Sequence, residues 1–259
     1  MMNYSETSIG AKMVRDPVCS MELDPPQAKA MAEYKGYTYY FCSEDCKHKF
    51  LDQPGIYLDK APSMRLTVGV MGSADHEQEQ HAMDKANALG RVIARRDFIL
   101  ITGACPGLPY ECARGAKEFN GLSIGISPAL SLDEHVHKFH SPSDCFDVLI
   151  YTGSGLMGRE VTNIRSSDMV VIVGGRSGTL GEFAIAYDEG KLIGVLEGSG
   201  GITGKIPEIV ASFGGKETGA SLVYDADPQN LIDKLSELYL THHYKRPSCF
   251  CHESVTSKG

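Results

Sequence analysis

Glycine-rich turns that follow apolar runs are the first pattern in this sequence with chemical meaning. They occupy residues 72–74, 103–107, 153–158 and 174–179. Glycine lets a ligand approach the main chain closely, and a helix that begins after such a turn presents unpaired N–H groups to an anion. The set favours a phosphate-bearing ligand, although any α/β fold needs glycine in such turns. The residues that we assign to nucleotide binding are Gly72, Ser73, Gly103, Gly107, Gly175, Arg176, Ser177, Gly178 and Thr179.

Three cysteines near the N-terminus form a second candidate site. Cys42 and Cys46 stand four residues apart, so a helical turn that begins near Ser43 would place both on one side. Cys19 could approach from a preceding β-turn, and three thiolates make a soft site suited to Zn²⁺ or Cu(I). The alternative is that these cysteines are small buried apolar groups, since the pattern lacks a fourth ligand.

The remaining histidines and cysteines are weaker candidates. The segment 131–143 contains three histidines that could bind a metal or line a nucleotide, although surface positions are favoured: His135, His137 and His140. The C-terminal stretch could capture a metal, but a disordered tail is the favoured interpretation of its His242, His243, Cys249, Cys251 and His252. Three more cysteines are interpreted as structural: Cys105, Cys112 and Cys145.

Bulk composition excludes several classes of partner. The chain has 259 residues, of which 42% are hydrophobic and 22% charged, which is typical of a globular protein. Its net charge of −8 offers no basic field to nucleic acid. No apolar run reaches the ~18–20 residues that span a bilayer, and residues 1–14 lack the apolar core of a signal peptide. We therefore expect a cytoplasmic protein with reduced thiols and no membrane partner.

From Arg65 onward, apolar strands alternate with helices. We expect strands at 66–71, 98–101, 122–126, 148–151, 169–173, 192–196 and 221–224, and helices at 77–95, 109–119, 157–166, 179–189 and 228–239. Continuous apolar strands between helices predict a parallel sheet covered on both faces, which is a Rossmann-like, doubly wound α/β fold. Ligands of such sheets bind beyond the carboxyl ends of the strands.

The change in sequence pattern along the chain predicts the domain organisation. We expect a flexible tail over residues 1–12, a small cysteine-rich module over 13–60 and a linker over 61–65. A Rossmann-like nucleotide-binding domain follows over 66–241, and the Cys- and His-containing tail occupies 242–259.

Residues 65–240 resemble the Lonely Guy (LOG) family, whose members were once labelled possible lysine decarboxylases. Residues 174–182 are similar to the family signature Pro-Gly-Gly-x-Gly-Thr-x-x-Glu, and residues 102–108 to its glycine-rich turn. The stretch 159–168 matches the helix before the signature strand. The resemblance implies a homodimeric phosphoribohydrolase, which cleaves the N-glycosidic bond of a nucleoside 5′-monophosphate.

The resemblance also assigns catalytic roles to Glu182 and Arg159. A carboxylate can stabilise the oxocarbenium-like sugar and orient a water, while a guanidinium can hold the phosphate or polarise the leaving base. Two alternatives stay open. Thr179 and Glu182 could form a helix capping box, and Arg159 could pair with Glu160 on the surface.

Two departures from the family pattern bear on function. Glu160 follows Arg159 where the family has lysine, and Gly174 and Arg176 replace the proline and second glycine of the signature. Glu160 removes a cation where an anionic substrate would need one, and Arg176 could restore it. The alternative function is therefore a non-catalytic sensor of nucleotide and metal.

Residues 14–58 resemble a YHS domain, through DPVCSM at 16–21, YTYYFCSEDC at 37–46, and Phe50, Pro54 and Tyr57. This resemblance implies a metal-binding or metal-sensing unit that holds Zn or Cu. No cofactor is assigned to the Rossmann-like domain. A metal-storage protein that uses the larger domain as a scaffold is the third interpretation.

Overall fold

The computed structural model describes residues 14–19, 21–34, 36–54, 57, 65–75 and 77–243. The chain divides into two compact units, residues 1–64 and 65–259. The N-terminal tail and most of the C-terminal tail, including Cys249, Cys251 and His252, lie outside the described residues, as do the side chains of His242 and His243. Within the described part of the chain, no helix has both the length and the apolar character needed to cross a membrane.

The described part of the smaller unit contains two β-hairpins, a short 3-10 helix (Pro25–Gln27) and an α-helix. β1 (Val14–Arg15) pairs antiparallel with β2 (Glu22–Leu23), and β3 (Ala30–Tyr34) with β4 (Tyr37–Phe41). Helix α1 (Glu44–Asp52) begins after Ser43, whose hydroxyl accepts a hydrogen bond from the Cys46 amide at 3.2 Å. Phe41 and Phe50 are fully buried, with ring centroids 5.2 Å apart, and form the centre of a small core.

The larger unit is built on a seven-stranded sheet in which every pairing is parallel. Its strands are β5 (Thr67–Gly72), β6 (Ile99–Thr102), β7 (Ser123–Ser127), β8 (Val148–Tyr151), β9 (Met169–Val173), β10 (Leu192–Leu196) and β11 (Ser221–Asp225). Their spatial order is β11-β10-β9-β5-β6-β7-β8. The chain builds outward from β5 on one side and then returns to place β9 on the other, so the strand order reverses between β5 and β9. Such a switch point opens a crevice at the carboxyl ends of the strands.

Seven helices accompany the sheet: α2 (Gln80–Arg95), α3 (Leu108–Glu118), α4 (Leu132–His137), α5 (Gly155–Arg165), α6 (Ser177–Asp188), α7 (Ile206–Ser212) and α8 (Pro228–Leu238). Alternate residues of β9 belong to separate cores. Val171 packs with α2, α3 and α8, whereas Ile172 packs with α5 and α6. Both faces of the sheet are therefore covered, which confirms the predicted Rossmann-like α/β fold.

The structure differs from the predicted elements in a few places. Helices α4 and α7 were not predicted, because each has only six or seven residues and too few turns to show a clear periodicity. The predicted surface position is wrong for His135. Its side chain is fully buried, and its ring nitrogens lie 2.9 Å from Ser127 Oγ and 3.0 Å from the Pro142 carbonyl oxygen. His137 and His140 are exposed, as expected.

Candidate functional site

A cleft of about 490 Å³ opens at the carboxyl ends of β5 and β9, at the switch point of the sheet. Its volume falls in the range of about 300–1,000 Å³ that is typical of ligand pockets. The structure brings most of the sequence-predicted nucleotide-binding residues into this cleft: Gly72, Ser73, Gly103, Arg176, Ser177, Gly178 and Thr179. Both predicted catalytic residues, Arg159 and Glu182, line it as well.

Two predicted glycines lie outside the cleft wall and support its loops instead. Gly107 has a φ of 77°, and a Cβ there would lie 2.3 Å from the Ser73 carbonyl oxygen. Gly175 has a φ of 92°, and a Cβ there would lie 2.3 Å from Thr179 Oγ1. Gly175 lines a smaller neighbouring cavity of about 240 Å³. Both positions require glycine because of backbone conformation and close packing.

The start of helix α6 supplies unpaired amides to the cleft. Its first helical hydrogen bond runs from the Leu180 amide to the Arg176 carbonyl at 2.9 Å, and no side chain caps the helix. The amides of Ser177, Gly178 and Thr179 therefore have no acceptor among the described residues. Because the helix begins at Ser177, Thr179 lies inside it and cannot be its N-cap, so the capping-box interpretation is wrong. Free amides at a helix N-terminus attract an anion.

Glu182 and Arg159 form a buried pair at the inner end of the cleft. Each residue is only 6% exposed, and Arg159 Nη1 lies 3.4 Å from Glu182 Oε1. The predicted alternative of a surface ion pair between Arg159 and Glu160 is therefore wrong. The guanidinium lies against the main chain of Gly103, where a Cβ would come within 2.0 Å of Nη1. Gly103 is thus needed for the packing of Arg159.

Burial shifts the ionisation of the acidic groups in the cleft. Burial raises the pKa of Glu182 to about 7, against the opposing effect of Arg159 and with a further increase from Glu160. The pKa of Glu160 is also raised by burial, although Arg159 lowers it. Glu182 can therefore exchange a proton near neutral pH, which suits a general base. Burial raises the pKa of Cys105, which also lines the cleft, to about 11, so its thiol is neutral at pH 7.

Arg176 forms an ion pair with a carboxylate that also lines the cleft. Its side chain is 76% exposed and pairs with Asp75 across the cleft at 2.9 Å. The guanidinium is paired with Asp75 in this structure, and its compensation of Glu160 toward an anionic ligand stays a prediction.

The predicted metal ligands lie together in the smaller unit. Cys42 Sγ lies 3.5 Å from Cys19 Sγ and 3.7 Å from Cys46 Sγ. A tetrahedral Zn²⁺ site with bonds of about 2.3 Å has S–S separations of about 3.8 Å, so the three thiols fit such an ion. Helix α1 brings Cys42 and Cys46 together as the spacing predicted, because Ser43 begins the helix between them.

Sequence reasoning missed Asp16 as a member of this site. Its ligand oxygen and the three sulfurs all lie within 4.8 Å of one another. Asp16 is fully buried; Oδ1 accepts a hydrogen bond from the Val18 amide at 2.8 Å, and Oδ2 accepts one from the Cys42 amide at 2.8 Å. The Asp-Pro pair three residues before Cys19, typical of a turn, was the available signal.

Comparison with known proteins finds a matching family model for each of the two units. The YHS domain model matches residues 14–61, and the SLOG cluster4 family model matches residues 65–232. An uncharacterized protein of Archaeoglobus fulgidus is 33% identical over 132 residues, which cover 51% of this chain and 80% of that protein. A copper-transporting P-type ATPase of Rhizobium leguminosarum bv. viciae is 46% identical over 46 residues, which cover 18% of this chain and only 6% of the ATPase.

Two solved structures resemble the larger unit. One is the molybdenum cofactor binding protein of the phototrophic bacterium Rippkaea orientalis, at 28% identity and a TM-score of 0.55, covering 68% of this chain and 99% of that chain. The other is the Moco carrier protein of Chlamydomonas reinhardtii, at 29% identity and a TM-score of 0.56, covering 68% of this chain and 98% of that chain. Because the SLOG cluster4 model matches well over half of the sequence, the chain belongs to the SLOG cluster4 family, and it carries a YHS domain at its N-terminal end.

Proposed function

We propose that the cleft binds a nucleoside 5′-monophosphate and that Glu182 promotes hydrolysis of its N-glycosidic bond. One observation carries this proposal: helix α6 supplies both the three unpaired amides of residues 177–179 and, one turn later, a buried carboxylate whose pKa is about 7. Gly178 and Glu182 are separated by about 6 Å along the helix axis.

The reaction follows from these positions. The phosphate binds the free amides, and the ionised Glu182 faces the sugar, where it stabilises positive charge as the bond between C1′ and the base nitrogen breaks. The base leaves with the bonding electron pair and takes up a proton from the solvent, and Glu182 returns to the solvent the proton that it accepts from water. A water oxygen bonds to C1′ and passes its proton to Glu182, which yields ribose 5-phosphate.

A second candidate, ligand binding without cleavage, is favoured by the pairing of Glu182 with Arg159 at 3.4 Å. A carboxylate held by a guanidinium is less able to accept a proton from water. The two similar solved proteins are named for binding or carrying the molybdenum cofactor, and such a role here would use the same cleft.

Chromatography of a nucleotide panel separates these candidates. We expect the wild type to release free base from at least one monophosphate, at a rate that rises with pH through about 7 as Glu182 ionises. Glu182→Gln should abolish release and retain binding, while the matched control Glu237→Gln, on the exposed side of α8, should behave as wild type. If the wild type binds a phosphate ligand but releases no base from any substrate, the second candidate, ligand binding without cleavage, is favoured.

We also propose that Cys19, Cys42 and Cys46 bind Zn or Cu in the YHS domain. The sulfur separations of 3.5 and 3.7 Å support this, and Asp16 holds the main chain around two of the ligands. Elemental analysis of the purified full chain should detect the metal and identify it. Cys42→Ser should lower its content several-fold, whereas Cys112→Ser, at a buried position in the other unit, should not. An equal metal content in wild type and Cys42→Ser would contradict the assignment.

A further inference from the structure

Glu160 is a buried carboxylate without a partner in the cleft. It follows Arg159 on helix α5, lines the cleft and is only 7% exposed. No described residue donates a hydrogen bond to it or forms an ion pair with it. Its oxygens lie over the first turns of α6: Oε1 is 4.0 Å from the position of a Cβ on Gly178, and Oε2 is 3.6 Å from that on Gly181.

The charges of the cleft leave this carboxylate without an ion pair among the described residues, although the guanidinium of Arg159 partly offsets its charge. Three carboxylates and two guanidiniums line the cavity. Arg159 is paired with Glu182 at 3.4 Å, and Arg176 with Asp75 at 2.9 Å. Glu160 is the remaining charged residue of the cleft. It lies beside the free amides that would bind a phosphate. A phosphate would therefore meet like charge at close range, in a partly desolvated site where such repulsion is strong.

We propose that the cleft takes its phosphate-bearing ligand together with a divalent cation of the Mg²⁺ class, held between the Glu160 carboxylate and the phosphate oxygens. This inference rests on the proposed function, because it assumes that the amides of α6 bind a phosphate. Mg²⁺ commonly binds through one or two carboxylates together with substrate phosphates, and keeps several waters. The cation would neutralise Glu160 and the phosphate at once. The glycines at 178 and 181 leave the space beside the carboxylate free of side chains.

Titration calorimetry of the full chain with ribose 5-phosphate tests this inference, since that probe carries the phosphate and has no base to lose. Each protein is titrated in MgCl₂ and in EDTA. For the wild type we expect Mg²⁺ to raise the affinity at least tenfold. Glu160→Gln should remove this dependence, and Glu160→Lys should bind in EDTA at least as tightly as the wild type does in Mg²⁺. Glu237→Gln, the exposed control, should keep the wild-type dependence.

The outcomes separate the two proposals. Equal affinity of the wild type in Mg²⁺ and EDTA would overturn the cation site and leave the phosphate site intact. Retention of the Mg²⁺ effect by Glu160→Gln, with a wild-type circular dichroism spectrum, would also overturn it. If either variant fails to fold, Mn²⁺ replaces Mg²⁺ with the wild type, and water-proton relaxation should report a bound ion only when ribose 5-phosphate is present. Absence of binding by the wild type in both buffers would refute the proposed function itself.

Discussion

Replacing Glu182 by glutamine should change how the stability of the fold depends on pH. Burial raises the pKa of this carboxyl from 4.5 to about 7 in the folded chain. Between these values the folded state holds a proton that the unfolded state has lost, so the free energy of unfolding falls as pH rises. The penalty is nearly absent below pH 4.5 and complete above pH 7. A shift of this size corresponds to about 3 kcal/mol when complete, most of which develops between pH 5 and 8.

Glutamine at position 182 has a similar shape but cannot ionise, so the variant escapes this penalty. This penalty is measured by urea unfolding at pH 5, 6, 7 and 8, monitored by far-UV circular dichroism. The free energy of unfolding of Glu182→Gln, minus that of the wild type, should rise by about 2 to 3 kcal/mol across this range. Glu160 also has a raised pKa, but it is present in both proteins, so most of its effect cancels in the difference.

The exposed control Glu237→Gln should show a difference from wild type that does not vary with pH. A Glu182→Gln difference that is flat within about 0.5 kcal/mol would refute the reasoning, because it would mean that the ion pair with Arg159 compensates fully for burial. A difference of opposite slope would mean that the pKa of Glu182 is lowered in the fold.

Three further predictions concern packing, the metal site and assembly. Gly103→Ala should displace the Arg159 guanidinium from Glu182, since its Cβ would lie 2.0 Å from Nη1, and should shift the pH dependence of base release to higher pH, because Arg159 lowers the pKa of Glu182; an unchanged pH profile would show that the pair survives. Asp16→Ala should lower metal affinity by about 10–100-fold in competition with a chelator, as expected for residues that orient ligands; Glu22→Ala, an exposed position, is its control. The family resemblance implies a homodimer, so light scattering should give twice the chain mass of 28.1 kDa, and a monomer at micromolar concentration would contradict it.

The fold could be predicted because its signals are local. Strands β8, β9 and β10 begin and end where the apolar runs do. Every residue of β9 and β10 is buried, and a strand buried on both faces must be apolar throughout. The boundaries of other elements shifted by one to three residues. One shift matters, because α6 begins at Ser177 and not at Thr179, and this start places the free amides at residues 177–179. Capping and the first hydrogen bond decide such ends, and the apolar pattern does not report them.

The sequence by itself determined the parallel α/β architecture, the glycine-rich turns at strand ends and the helical spacing of Cys42 and Cys46, because each depends on neighbours along the chain. Only the tertiary structure decided which charges meet. Arg159 pairs with Glu182, 23 residues away, Arg176 pairs with Asp75, and Glu160 has no hydrogen-bond or ion-pair partner among the residues that the structure describes. Ion pairing and burial depend on distances in space between residues far apart in sequence, and these distances exist only once the sheet has assembled.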